Sequence, residues 1–182
     1  MRGAWHIAAV SILAACSTVQ VDSDATQHFT LSGHDTFAWI SDHPMVAYSP
    51  DVSPAAEDRI KQAIVEALLS KHIAYSSDPA RATLLVAFTL TGMEKASVLQ
   101  PGYPGPNWGM YPWVGSYYET TAVNQHRVGT LTINIFDVEG KQSVWHGWAS
   151  KTVDEKPKSG EAAAKAVPKI LANFPSGITV KN

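Results

Sequence analysis

Apolar and polar residues group along this chain into a few separated blocks, and the period of each block points to an element. In Thr36-Phe37-Ala38-Trp39-Ile40, aromatic and β-branched residues predict a first strand, and the following His43-Pro44 argues against a helix there. From Ser53 the period lengthens. Ile60, Ile64 and Leu68 recur every fourth residue beside Ala56, Ala63 and Ala67, while Arg59, Lys61, Gln62 and Glu66 fall mainly on the other side. One apolar face predicts a helix lying on a sheet. Ser53 suits its N-cap, Pro54 its first position, and Glu57 and Asp58 its positive N-terminal dipole. It ends near Lys71-His72, where glycine would be the usual residue just beyond.

Asp78-Pro79 marks a turn, and residues 83–90 form a nearly continuous apolar run of strand length, expected at the centre of a sheet and buried on both faces. Between 128 and 138 the pattern alternates: Leu131, Ile133 and Ile135 point one way, Thr130, Thr132 and Asn134 the other. Glu139-Gly140 is a turn signal and residues 143–149 return, so the pair predicts a β-hairpin. A last helix is expected over 161–173, capped by Ser159, with Val167, Ile170, Leu171 and Phe174 as its apolar stripe. Pro168 inside it lacks an N–H and predicts a kink or a late start. A further strand is expected from residues 97–99 or 117–123. The pattern as a whole predicts an α+β two-layer sandwich, a small mostly antiparallel sheet with two helices on one face, in the order β-α-β-β-β-α.

Ahead of these elements, residues 1–15 have the form of a secretory signal: Arg2, then the short apolar run Ile7-Ala8-Ala9-Val10-Ser11-Ile12-Leu13-Ala14-Ala15. The only cysteine follows at once. Leu13-Ala14-Ala15-Cys16 resembles the bacterial lipoprotein box, in which a diacylglyceryl group is attached to the cysteine sulfur and cleavage leaves that cysteine first. The resemblance implies lipidation at Cys16. Two or more acyl chains hold a protein stably at a membrane, each buried CH₂ contributing about 0.8 kcal/mol. In enteric-type lipoproteins an Asp after the cysteine signals inner-membrane retention, so Ser17 implies outer-membrane sorting, facing the periplasm. Residues 16–30 are then expected to be the lipidated N-terminus and a tether, because residues 17–30 mix Ser, Thr, Asp and Gln with little periodicity. Residues 31–182 are expected to form a single α/β domain.

Composition narrows the classes. Hydrophobic residues make up 45% of the 182 positions and charged residues only 16%, which excludes disorder throughout. Lys+Arg 14 against Asp+Glu 16 leaves a net charge of -2, without the basic field a nucleic-acid partner needs. One cysteine permits neither an internal disulfide nor a multi-cysteine metal site.

Several segments together carry a family resemblance: Phe37-Ala38-Trp39; Arg59-Ile60, Ala63-Ile64 and Leu68-Leu69; Ala82-Thr83-Leu84-Leu85-Val86; Gly129-Thr130-Leu131-Thr132-Ile133; Phe136-Asp137 with Val144-Trp145-His146-Gly147; and Ile170-Leu171-Ala172-Asn173-Phe174-Pro175. Over residues 28–175 the chain resembles the bacterial lipoproteins grouped as domain of unknown function 4136. The chain departs from the family at His72, where glycine is frequent, at Thr83, where aspartate is, and at Pro168. The resemblance implies a compact α/β lipoprotein domain and carries no catalytic residues.

The candidate chemistry is concentrated in residues 101–118. Pro101, Pro104, Pro106 and Pro112 alternate with Gly102, Gly105, Gly109 and Gly115, so a long loop is expected, of a kind usually functional or disordered. Tyr103, Trp108, Tyr111, Trp113, Tyr117 and Tyr118 sit in it. Exposed rings of this density suit a binding surface, while rings folded over the sheet would cap the core. Elsewhere the histidines His28, His34, His43, His72, His126 and His146 are scattered, with no HExxH, and no metal or cofactor site is expected. Asp137 and Glu139 form a carboxylate pair at the hairpin turn, a setting in which such groups are usually just solvated. No GxSxG, SxxK or GxxxxGK[ST] occurs. The leading expectation is therefore a non-enzymatic envelope lipoprotein, a binding or accessory module for an envelope protein or peptidoglycan. The alternative is a lipid-anchored periplasmic hydrolase whose site no motif reveals.

Overall fold

The computed structural model describes residues 19–26, 29–48, 52–91, 97–98, 113, 129–151 and 160–176. Among them the strands are β1 (Gln20–Ala25), β2 (Thr36–Trp39), β3 (Met45–Tyr48), β4 (Ala74–Tyr75), β5 (Leu84–Thr91), β6 (Ser97–Val98), β7 (Gly129–Asp137) and β8 (Gln142–Lys151). The helices are α1 (Pro54–Leu69) and α2 (Glu161–Ala172), with a short 3-10 turn at Pro79–Arg81.

The strands share one mostly antiparallel sheet in the order β1-β8-β7-β5-β2-β4. β5 is its centre, and every one of its residues is buried, as its unbroken apolar run predicts. β2 and β3 lie end to end along the same side of β5: Phe37–Trp39 pair in parallel with Leu84–Val86, and Met45–Tyr48 with Phe88–Leu90. The break between them contains Pro44, which has no N–H for the ladder but accepts from the Phe88 N–H through its carbonyl at 3.0 Å. Parallel neighbours need a long crossover, and α1 supplies it. β6 pairs with β3, which answers the expectation of a strand near 97–99; the 117–123 alternative lies outside the described residues.

Side-chain alternation along β5 divides the core. Leu84, Val86, Phe88 and Leu90 meet Ile60, Ile64 and Leu68 of α1 and Val167, Ile170 and Leu171 of α2. Leu85 and Ala87 turn the other way, into a smaller cluster with Ala38, Ile40, Val46 and Phe136. Both helices thus cover one face of the sheet, and the fold is mixed α+β. The helical period named the right face of α1: Ala56, Ile60, Ile64 and Leu68 are buried and Gln62 is exposed.

The end of α1 answers the missing glycine. The Ile73 N–H donates to the Leu68 carbonyl at 3.0 Å and the His72 N–H to that of Leu69 at 2.9 Å. This closure requires a left-handed residue between them, and His72 takes it at φ 66. Buried Leu68 and Ile73 provide the apolar contact that accompanies such a cap. At α2 the capping expectation is corrected: Gly160, at φ 64, holds the N-cap position expected of Ser159. The helix already starts at Glu161 with Pro168 inside it, so of the two expectations at Pro168 the late start is not taken.

Within residues 16–30, expected as lipidated N-terminus and tether, part of the expected tether is drawn into the sheet. Gln20–Ala25 is an edge strand of the sheet, paired with β8 at every residue from Gln20↔Ser150 to Ala25↔Trp145. Val21 and Ser23 are half-buried on the helix side while Gln20, Asp22 and Asp24 are exposed. Ser and Asp are poor strand formers, so they masked a period of two that only one side of an edge strand needs to keep.

Candidate functional site

Two helices side by side on a sheet leave a furrow between their outer surfaces, and small residues set its depth. At their N-terminal ends α1 and α2 come together where Gly160 meets Ala56. Farther along, Ala63 and Ala67 of α1 face Ala164, Pro168 and Ala172 of α2 across an open furrow of about 840 Å³. That volume lies within the range of small-ligand and peptide clefts.

Charges line its rim. The Lys165 ammonium sits 2.6 Å from the Glu161 carboxylate one helical turn away, and this hydrogen bond holds the Glu161 carboxyl below its ordinary value. The Lys71 ammonium donates to the carbonyls of Phe174 at 2.7 Å and Ala172 at 3.4 Å, satisfying acceptors at the C-terminal end of α2. Partial burial pulls the Lys71 pKa below the usual lysine value. Pro168 has no N–H to offer the carbonyl of Ala164, and both residues line the furrow. An alanine floor between a mixed-charge rim can accept apolar side chains and pair with either sign of charge. The signal for it was present in the sequence as the alanines flanking the stripe of α1, but which surface they border depends on the packing of α2.

The residues singled out in the sequence are placed unevenly. Cys16 and the rings of Tyr103, Trp108, Tyr111, Tyr117 and Tyr118 lie outside the described residues. Trp113 is described. It is half-buried on the sheet face opposite the helices, and its ring meets Phe136 edge to face at 6.0 Å and 71°. For this ring the structure has the geometry of a cap over the core. Trp113→Ala should lower stability by about 2 kcal/mol, below the figure for a fully buried Trp because the ring is only partly covered; chemical denaturation measures it, and an unchanged midpoint would mean the contact contributes nothing.

Asp137 is occupied by the hairpin turn: its carboxylate accepts from the Glu139 N–H at 3.1 Å and the Gly140 N–H at 2.9 Å. His146 stacks on Trp148 at 5.4 Å and 17°, on the side of β8 opposite the helices. In register, His146 stands between Asp24 of β1 and Asn134 of β7. Among the described residues no three of His, Cys, Asp and Glu gather where they could hold a metal ion, and no helix is long and apolar enough to cross a membrane.

Comparison with known proteins matches the family described as domain of unknown function (DUF4136) over residues 19–176. That span begins at the edge of β1 and ends just beyond α2. A DUF4136 family protein from Bacteroides thetaiotaomicron has a similar fold, with TM-score 0.59 at 14% identity, covering 87% of this chain and 97% of that one. A PDZ domain protein from Parabacteroides distasonis matches at TM-score 0.54 and 16% identity over 87% of this chain, which spans only 36% of that protein. The PelC dodecamer from Paraburkholderia phytofirmans is a more distant likeness, at TM-score 0.49 and 13% identity over 85% of this chain and 96% of that one. No curated protein matches. With its sheet, both helices and the whole span from β1 to Ser176 inside the family's boundaries, the chain belongs to DUF4136, a family of unknown function.

Proposed function

We propose that this protein is a lipoprotein of the bacterial cell envelope, anchored through Cys16, and that its domain is a non-enzymatic binding or accessory module. The observation that carries the reading is the run Leu13-Ala14-Ala15-Cys16, an apolar signal ending in small residues and the single cysteine, set immediately before the folded domain. Outer-membrane sorting rests on Ser17 and places the domain on the periplasmic side. The furrow between α1 and α2 supports a binding role, since its alanine floor and charged rim suit a segment of an envelope protein. The aromatic residues Tyr103, Trp108, Tyr111, Tyr117 and Tyr118 are a second recognition element for such a protein or for peptidoglycan.

Metabolic labelling tests the anchor. Labelled fatty acid should enter the wild-type protein and not Cys16→Ser, and the variant should leave the membrane fraction. Equal labelling of both would sink the reading.

A further inference from the structure

The sheet edge beside α1 is formed by β4, within a stretch, residues 52–91, that is described without a gap, and both residues of β4 are exposed. β4 is bound to β2 through Ala74 and Ser76, whose N–H groups donate to the carbonyls of Asp35 and Phe37, each at 2.8 Å. Successive residues of a strand aim their backbone groups to opposite sides, so the N–H and C=O of Tyr75 point outward from the edge.

The side chains around this residue are apolar. Tyr75 stands in register with Phe37 on the helix side of the sheet, its ring 5.5 Å from that of Phe37 and 6.2 Å from that of Trp39. Lys61, Val65 and Leu69 recur every fourth residue on the side of α1 above these rings, with the Lys61 ammonium 5.8 Å from the Trp39 ring. Leu69 is 59% exposed and Tyr75 45%, the large exposed apolar side chains among the described residues. The opposite edge of the sheet differs: β1 is guarded by exposed Asp22 and Asp24.

A donor and an acceptor on one residue are self-complementary. Two copies related by a two-fold axis beside Tyr75 exchange both bonds, as a hydrogen-bonded antiparallel pair does, and neither group is left over. Directly opposed residues of such a pair point to the same face, so the two Tyr75 rings meet on the helix side, where Leu69 also lies. Charge selects the same arrangement. Exposed His72 lies three residues before Tyr75, next to Lys71, and exposed Asp78 three residues after it. Antiparallel order sets the basic side of one copy against the acidic side of the other, twice, whereas parallel order would set like against like.

We propose that β4 is a homodimer interface: a second copy of this chain pairs with Tyr75 across a two-fold axis, and the sheet continues from β4 to β4 with the helices of both copies on one face. Two backbone bonds and a small apolar patch make a reversible contact, smaller than a standard interface.

The test uses the purified full-length chain in mild detergent under a mild oxidant. In a hydrogen-bonded antiparallel pair the Cα atoms lie about 5.5 Å apart, within the span a disulfide bridges. Tyr75→Cys should therefore form a disulfide-linked dimer at least about tenfold faster than Asp24→Cys or Glu139→Cys, with the parent chain, which carries the same Cys16, as background. In sedimentation without oxidant, the parent and Tyr75→Phe should show a dimer that grows with concentration. Tyr75→Pro lacks the outward N–H, a change an edge strand tolerates, and should stay monomeric with its melting midpoint unchanged. Equal cross-linking at the three positions, or a Tyr75→Pro chain that still forms the dimer, would overturn the proposal. So would faster cross-linking between Asp24→Cys and Tyr75→Cys chains in a mixture than between Tyr75→Cys chains alone, which would mean that copies join head to tail through β1.

Discussion

Trp145→Ala should destabilise the domain by about 3–5 kcal/mol, the range for removing a large aromatic from a packed core. Trp145 is 2% exposed and stands where β8 meets α2. Its ring meets Phe174 edge to face at 5.2 Å, just past the end of α2. It also folds back over Gly147, whose missing side chain makes room: a Cβ there would lie 2.3 Å from the ring and 2.9 Å from Ile170. Ring, glycine and helix therefore form one contact. A small domain carries only about 5–15 kcal/mol of stability, so the loss is a large share of the total. Urea denaturation of the domain measures it, and a change below about 1 kcal/mol would mean that α2 does not dock on β8 as described.

Gly160→Ala should cost about 2–5 kcal/mol for a different reason. Gly160 has φ 64, a left-handed conformation that costs a residue with a Cβ about 1–2 kcal/mol. The new Cβ would also lie 2.5 Å from the Ala56 Cβ and 2.7 Å from its Cα, and overpacking of that kind costs about 1–3 kcal/mol more. Gly33 separates the two contributions. It has φ 86 with nothing within 4 Å of a built Cβ, so Gly33→Ala should show the backbone cost alone. Equal losses at the two positions would mean that the contact between α1 and α2 yields without cost at Gly160.

Much of this fold could be read along the chain, for identifiable reasons. β5, the hairpin of β7 and β8, and the buried face of α1 each bury a side or a whole strand, so solvent imposes a strong pattern on them. The elements that escaped are those with weak patterns. β1 is an edge strand carrying Ser and Asp, β4 is two residues long, and β3 continues β2 past a proline. Gly160 escaped because a lone glycine marks a left-handed cap only once the facing Ala56 is known. Of the candidate site, sequence alone located the aromatic segment, but not that its Trp113 rests on Phe136. The furrow needed the pairing of the helices, which no local pattern contains.

The claim on which the functional account depends is the lipid at Cys16. Intact-mass spectrometry of protein purified from membranes tests it most directly. The account predicts a chain that has lost residues 1–15, begins at Cys16 and is heavier than its polypeptide by a diacylglyceryl group, with or without a further acyl chain on the new amine. A chain that retains residues 1–15, or one that begins at Cys16 with an unmodified thiol, would contradict it.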